Sequence, residues 1–229
     1  MTRQKEQDIV SLKERILKMG SLVEDAIRNS IKALVDRDSK LAISVIDGDR
    51  SVNTLDVEIE EECIRLLALY QPTGSNLRLI TTAIKIITDL ERMGDLAVDI
   101  CERAIELNDE PSLKPYIDIP RMAEAVQKML KDSLDSFVSN DPDLALKVCE
   151  ADDIVDNLNH QIFNELLLYM LQDPKNIGRA VRISYISKYL ERIADHATNI
   201  AEMVVYMVKG KVIRHMECGG PPPEPGKTD

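Results

Sequence analysis

Apolar residues recur three and four positions apart along nearly the whole chain, the spacing that covers one face of an α-helix. The first such stripe runs from Ile9 to Val35 through Leu12, Ile16, Met19, Val23, Ala26, Ile27 and Leu34. Asp36-Arg37-Asp38-Ser39 interrupts it, and Asp38 or Ser39 is suited to cap the next helix, because a short side-chain oxygen there accepts from free backbone N–H groups. A second stripe passes through Leu41, Val45, Val52, Leu55, Ile59, Cys63 and Leu66 to about Leu69. Gln71-Pro72-Thr73-Gly74-Ser75 breaks the pattern, and Ser75 or Asn76 is placed to cap a third helix reaching about Leu107.

The segment from Asn108 to Pro115 is a mid-chain break, and three further helices follow. They are expected from Ile119 to Ser139, Pro142 to Leu171 and Pro174 to Lys209, with Pro142 and Pro174 near helix starts, where a missing N–H costs nothing. The final stretch, residues 217–229 (ECGGPPPEPGKTD), has too little apolar content to pack and is expected to be a disordered tail.

The two sets of three helices can be superposed in sequence. Leu34-x-x-x-Asp38-x-x-Leu41-Ala42-x-x-Val45 matches Phe137-x-x-x-Asp141-x-x-Leu144-Ala145-x-x-Val148 at an offset of 103, and the third helices match at an offset of 100. Two three-helix units from a duplicated ancestor account for this, and short loops within each unit imply antiparallel neighbours. The expected fold is therefore all-α, two tandem three-helix bundles over residues 1–110 and 117–213.

Composition agrees with that class: 44% hydrophobic and 30% charged residues, 3% aromatic, no tryptophan. The net charge of -11 argues against nucleic acid, whose phosphates call for a basic surface. Cys63, Cys101, Cys149 and Cys218 form no CxxC and lie near no histidine pair, so they read as three small core residues and one tail thiol of a reducing compartment. With no signal-like segment and no apolar run long enough to span a bilayer, the expected location is cytoplasmic, peripheral to a membrane at most.

The candidate chemistry lies in one repeated phrase. Glu91 opens ERMGDLAVDICE and Glu191 opens ERIADHATNIAE; six of the twelve positions are identical and four of those six are charged. On a helical wheel Asp95, Asp99 and Glu102 fall within roughly 80 degrees of Glu91, on the flank of the apolar face. Carboxylates stacked four apart repel, and a cation removes that repulsion; an oxygen-only cluster suits hard ions. Glu191, Asp195, Asn199 and Glu202 occupy the corresponding arc, with Asn199 uncharged where Asp99 is not. His196 sits roughly 100 degrees from Asp195 and is expected to point elsewhere. The plainer alternative is a solvated acidic face neutralised by Arg92, Arg103 and Arg192.

A second polar set, Asp49, Asn53, Asp56 and Glu58, corresponds to Asp152, Asp156, Asn159 and Gln161; fixing helix register is its expected role, ahead of supplying ligands. No Glu-x-x-His pair, phosphate loop or nucleophile elbow is present, and with three histidines no nucleophile–base pair is evident, so the chain is not expected to be an enzyme.

With these residues in view the chain resembles the PhoU family, the accessory and regulatory proteins of high-affinity bacterial phosphate uptake. The likeness is carried by IEEECIRLLALYQPTGSNLRLITTAIKIITDLERMGDLAVDICERA from Ile59 to Ala104 and by RISYISKYLERIADHATNIAE from Arg182 to Glu202, within a match that extends to about Val212. The resemblance implies two tandem three-helix bundles, and metal clusters on Glu91, Asp95 and Asp99 and on Glu191, Asp195 and Asn199, taking iron, manganese, zinc or magnesium. It also implies a homodimer that acts as a negative regulator, relaying the state of a phosphate transporter ATPase to a sensor histidine kinase. Two departures stand out: Leu96 replaces a histidine common in the first motif, and Gln7 and Asp8 stand where the first helix often carries one. A metal-dependent phosphate-ester hydrolase and a purely structural dimerising bundle are the competing readings.

Overall fold

The computed structural model describes residues 3–210, and within them every regular element is helical. The helices are α1 (Arg3–Val35), α2 (Ser39–Tyr70), α3 (Ser75–Asn108), α4 (Asp118–Ser139), α5 (Pro142–Gln172) and α6 (Ile177–Lys209). The tail expected at residues 217–229, with Cys218, lies outside the described residues.

The duplication extends to the turns. Asp38 accepts from the backbone N–H groups of Lys40 and Leu41, both at 3.0 Å, and Asp141 does the same for Asp143 and Leu144 at 2.9 and 3.1 Å. The preceding residues Arg37 and Asn140 both take left-handed backbone conformations, φ 56° and 54°. Each aspartate thus satisfies two orphan donors of a helix start, in the same way in both copies.

Three boundaries differ from the sequence pattern. Helix α1 begins at Arg3, six residues before the apolar stripe, with the Gln4 amide donating to Asp8 at 3.0 Å. Helix α3 is preceded by Gly74 at φ 60° with no side-chain cap, so neither Ser75 nor Asn76 caps it; the reversal there needs a positive φ, which glycine adopts freely. Pro174 opens a single 3-10 turn, Pro174–Asn176, and α6 starts at Ile177.

Within each bundle all three helices pack on one another, and the bundles join through α3 against α6 and α1 against α4. Both cross-bundle pairs are antiparallel. Arg78 near the start of α3 donates to the Met207 carbonyl near the end of α6 at 3.0 Å, while Arg182 near the start of α6 reaches Glu106 at 2.7 Å and Glu110 at 2.9 Å. Lys13 of α1 donates to the Val138 carbonyl of α4 at 2.9 Å. One apolar core, from Leu12 and Ile16 through Ile86 and Leu90 to Phe137 and Val204, runs through both units. Cys63, Cys101 and Cys149 are buried as small apolar side chains, and burial pushes the first two thiols up to about 12. Among the described residues no helix is long and apolar enough to cross a membrane.

The α1–α4 seam depends on Gly20, since a Cβ there would meet Leu134 Cδ1. Gly20→Val is expected to destabilise the protein by about 1–3 kcal/mol through overpacking, and Leu134→Ala in the same chain to recover much of that loss. Chemical denaturation of the two variants checks this.

Candidate functional site

Helix α3 is covered by α1, α2 and α6, and α6 by α4, α5 and α3, so each has only a narrow strip left for charge. Glu91, Asp95 and Asp99 lie on that strip of α3 and Glu191, Asp195 and Asn199 on that of α6; none is fully buried, with Asp195 and Asn199 the more exposed.

The strips are met by acids from the outer helices. Asp49 and Asp56 of α2 lie close enough to Glu91 for their charges to act on it, and Asp152 and Asp156 of α5 stand in the same relation to Asp195 and Glu191. Gly94 lets α2 come in: a Cβ there would stand 3.0 Å from Asp49 Oδ1 and 3.4 Å from Val52 Cγ1. The polar set on the middle helices therefore divides. Glu58, accepting from Arg15 at 2.5 Å, and Gln161, donating to Asp118 at 3.1 Å, tie α2 to α1 and α5 to α4, which is the register role. Asp49, Asp56, Asp152 and Asp156 belong to the stripes instead, contrary to the role expected from sequence. Their signal was present in the duplication, where Asp49 and Asp152 correspond, but the pattern of one helix does not tell which neighbour its flank will face.

Crowding and partial burial raise Glu91, Asp99, Asp49, Asp56, Asp152 and Asp195 above their usual range. Burial comes first for Glu91, followed by the Asp95 charge; for Asp99, burial and then Glu102; Asp49 and Asp56 are raised chiefly by burial. The second copy carries the larger effect: burial, reinforced by Asp195, Asp156 and Glu191, takes Asp152 to about 6, and Asp195 is raised by burial and by Glu191. Asp152 Oδ1 is buried with no hydrogen-bond partner among the described residues.

Cationic side chains answer part of this charge. Arg92 bridges Glu91 at 3.3 Å and Asp95 at 3.1 Å, Arg103 pairs with Glu106 at 2.7 Å and Glu102 at 3.4 Å, and Lys188 holds Glu191 at 2.5 Å. Among the described residues no three His, Cys, Asp or Glu side chains are gathered tightly enough to hold a metal ion as they stand. The donor set nonetheless fits a hard cation in kind, being carboxylate oxygens from two helices in each copy, one of them orphaned. Glu91, Asp95 and Asp99 with Asp49, and Glu191 and Asp195 with Asp152, are the residues that would hold it after side-chain rotation. Asn199 offers only a neutral oxygen.

His196 turns away from the second stripe, as its wheel position implied. Its Nδ1 lies 2.7 Å from Asp89 Oδ1 of α3, so it links the two bundles. The internal repeat places Tyr189 and Leu96 at the equivalents of Asp89 and His196, so a polar pair on one side of the seam answers to an aromatic and an aliphatic residue on the other.

Six helices in two superposable bundles, each with an acid-lined strip between its two last helices, define a class of tandem helical-repeat proteins with paired carboxylate clefts. The chain belongs to the PhoU family: the PhoU domain model matches residues 16–104 and again 119–204. It is 47% identical over 209 residues to the phosphate-specific transport system accessory protein PhoU homolog of Aquifex aeolicus, covering 91% of this chain and 95% of that one. Against the Escherichia coli phosphate-specific transport system accessory protein PhoU it is 35% identical, covering 91% and 87%. The crystal structure of PhoU from Pseudomonas aeruginosa superposes with a TM-score of 0.86 at 40% identity, covering 90% of this chain and 99% of that one.

Asp152 gives the cleft a pH signature. Its folded-state pKa lies above the unfolded value, so the native state holds more protons between about pH 4 and 6, and stability falls as pH rises through that window. Asp152→Asn is expected to melt about 1–3 °C higher than the parent protein at pH 7.5, with the gap closing below pH 4. Thermal unfolding monitored by circular dichroism across pH 3.5–8 is the check.

Proposed function

We propose that the chain is a cytoplasmic regulator of phosphate uptake and phosphate-responsive signalling. It acts by binding proteins, as a negative regulator placed between the ATPase subunit of a phosphate transporter and a sensor histidine kinase, and its carboxylate clefts take metal ions: iron, manganese, zinc or magnesium. Family membership and the relatives' names, which tie them to the phosphate-specific transport system, support the regulatory role. The observation that carries the metal reading is the crowding of Asp152 with Asp156, Glu191 and Asp195, which leaves one buried carboxylate oxygen without a partner. Asp152, Glu191 and Asp195 would hold a metal ion between α5 and α6, and Asp49, Glu91 and Asp95 another between α2 and α3, each of which would offset the local negative charge.

The partner-binding role is supported by the outward face of α5. Phe163, Leu168 and Leu171 are 47%, 61% and 83% exposed there. The same positions of α2 in the first copy read Glu60, Arg65 and Ala68, while α2 exposes Val57, Ile64 and Leu69 at other positions, so the two copies turn different apolar residues outward. We assign that face to protein contacts, the second protomer of a homodimer among them.

Metal content is the direct test. Protein purified without chelator or affinity metal is expected to carry metal by plasma mass spectrometry, and an Asp95→Ala/Asp195→Ala variant to lose most of it. Metal-free parent protein whose melting temperature does not move with added iron, manganese, zinc or magnesium would remove the metals from this reading. The regulatory half is read separately: deleting the gene is expected to derepress phosphate-responsive transcription in phosphate-replete medium, and unchanged transcription would refute it.

A further inference from the structure

A groove between α1 and α2 meets the carboxylate clefts only at Asp49, which lines the far end of its continuation. This open groove has a volume of about 440 Å3 and is lined by Lys18 and Leu22 of α1 and by Arg50, Ser51, Thr54, Leu55 and Glu58 of α2. Three observations set it apart from an ordinary surface furrow.

The first is charge. Among the described residues neither the Lys18 ammonium nor the Arg50 guanidinium takes part in any hydrogen bond or ion pair, on a chain with a net charge of -11. The carboxylate within reach, Glu58, is already held by Arg15 at 2.5 Å. Ser51 likewise keeps its hydroxyl hydrogen unassigned, while Thr54 donates to the Arg50 carbonyl at 2.8 Å and retains its lone pairs.

The second is Gly48. The groove continues past Leu22 into a smaller space of about 170 Å3 lined by Gly48, Asp25 and Asp49. Glycine is a poor helix former, yet a Cβ at position 48 would meet nothing within 4 Å, so packing inside this chain does not require it. The missing side chain widens the groove.

The third is the internal copy. At the offset of 103, Arg15, Gly48 and Arg50 become Asp118, Ala151 and Asp153. Asp118 there engages Arg121, the counterpart of Lys18, at 2.9 Å and Gln161, the counterpart of Glu58, at 3.1 Å. In the second bundle the groove's charges close on themselves; in the first, two cations are left over.

We propose that the α1–α2 groove of the first bundle binds an organic oxyanion, a phosphate monoester in its simplest form. The doubly charged head is held between Lys18 and Arg50, with the Ser51 hydroxyl donating to it. The uncharged body lies over Leu22 and Leu55 towards Gly48. Asp25 and Asp49 at the far end repel a second anionic group, which selects a ligand with charge at one end only.

Phenyl phosphate is the first probe and inorganic phosphate the second, each titrated calorimetrically at constant ionic strength into full-length protein, with EDTA present to keep metals off the carboxylate clefts. Saturable phenyl phosphate binding is expected, weakened at least about tenfold in Lys18→Gln/Arg50→Gln and unchanged in Lys147→Gln/Lys175→Gln. Gly48→Leu, which has room to fold, is expected to keep its melting temperature and to weaken phenyl phosphate more than inorganic phosphate. No saturable binding up to about 10 mM, or an equal loss in the two charge-neutralised variants, would overturn the site. Equal affinity for the two probes in the parent protein would overturn the organic body.

Discussion

The structure depends on two helices that are covered on three sides. Helices α3 and α6 each carry the core of their own bundle and also form the main seam between bundles. On α3 the consequence is a long run of fully buried residues, from Ile80 through Ile87 and Leu90 to Ala104 and Leu107, with polar positions confined to the edge facing the outer helix. Carboxylates placed on such an edge are neither free in water nor paired in the core. The raised pKa values of Glu91, Asp99, Asp152 and Asp195 follow from that position more than from any single neighbour, since burial leads in each of these four. A protein that sought only stability would put apolar or neutral residues there, and the repeated acids are the observation on which the proposed cation site rests.

The two copies resolve this constraint differently. In the first, Arg92 spans Glu91 and Asp95, and Gly94 admits Asp49. In the second, Ala194 stands in place of Gly94, Asn199 in place of Asp99, and a deeper Asp152 takes over as the most strained acid. One arrangement trades proximity for an arginine clamp, the other trades a charge for burial.

Much of the fold was legible because duplication doubles the signal. The six helices, the cap at Asp38 and the antiparallel bundles follow from period, turn residues and a constant offset. The start of α1 was missed because Arg3 to Asp8 carry no apolar stripe, and its first turns rely on helix-forming polar residues. The cap of α3 was missed because Gly74 acts through its backbone, which a search for side-chain oxygens does not see. For the candidate site, the polar stripe of Glu91, Asp95, Asp99, Glu191, Asp195 and Asn199 could be placed from α3 and α6 alone, whereas the facing of Asp49, Asp56, Asp152 and Asp156 towards it could not. Their membership depends on which face of α2 or α5 meets the stripe, and that is set by packing, including the absent Cβ of Gly94.

The seam between bundles also decides how a change in one cleft can be felt in the other. Asp89 and His196 join α3 to α6 at mid-length, and Arg182 with Glu106 and Glu110 ties one end. Asp195 is the immediate neighbour of His196, and Asp99 feels the charge of Arg192 from across the seam. Glu91 and Asp195 lie within one helix turn of the Asp89–His196 contact, so a change of charge at either cleft would be felt there. Coupling of this kind needs no large motion, because the two central helices are already packed against each other along their length. Among the described residues the outer helices α2 and α5 touch only their own bundles, so the seam is carried by α1, α3, α4 and α6 alone.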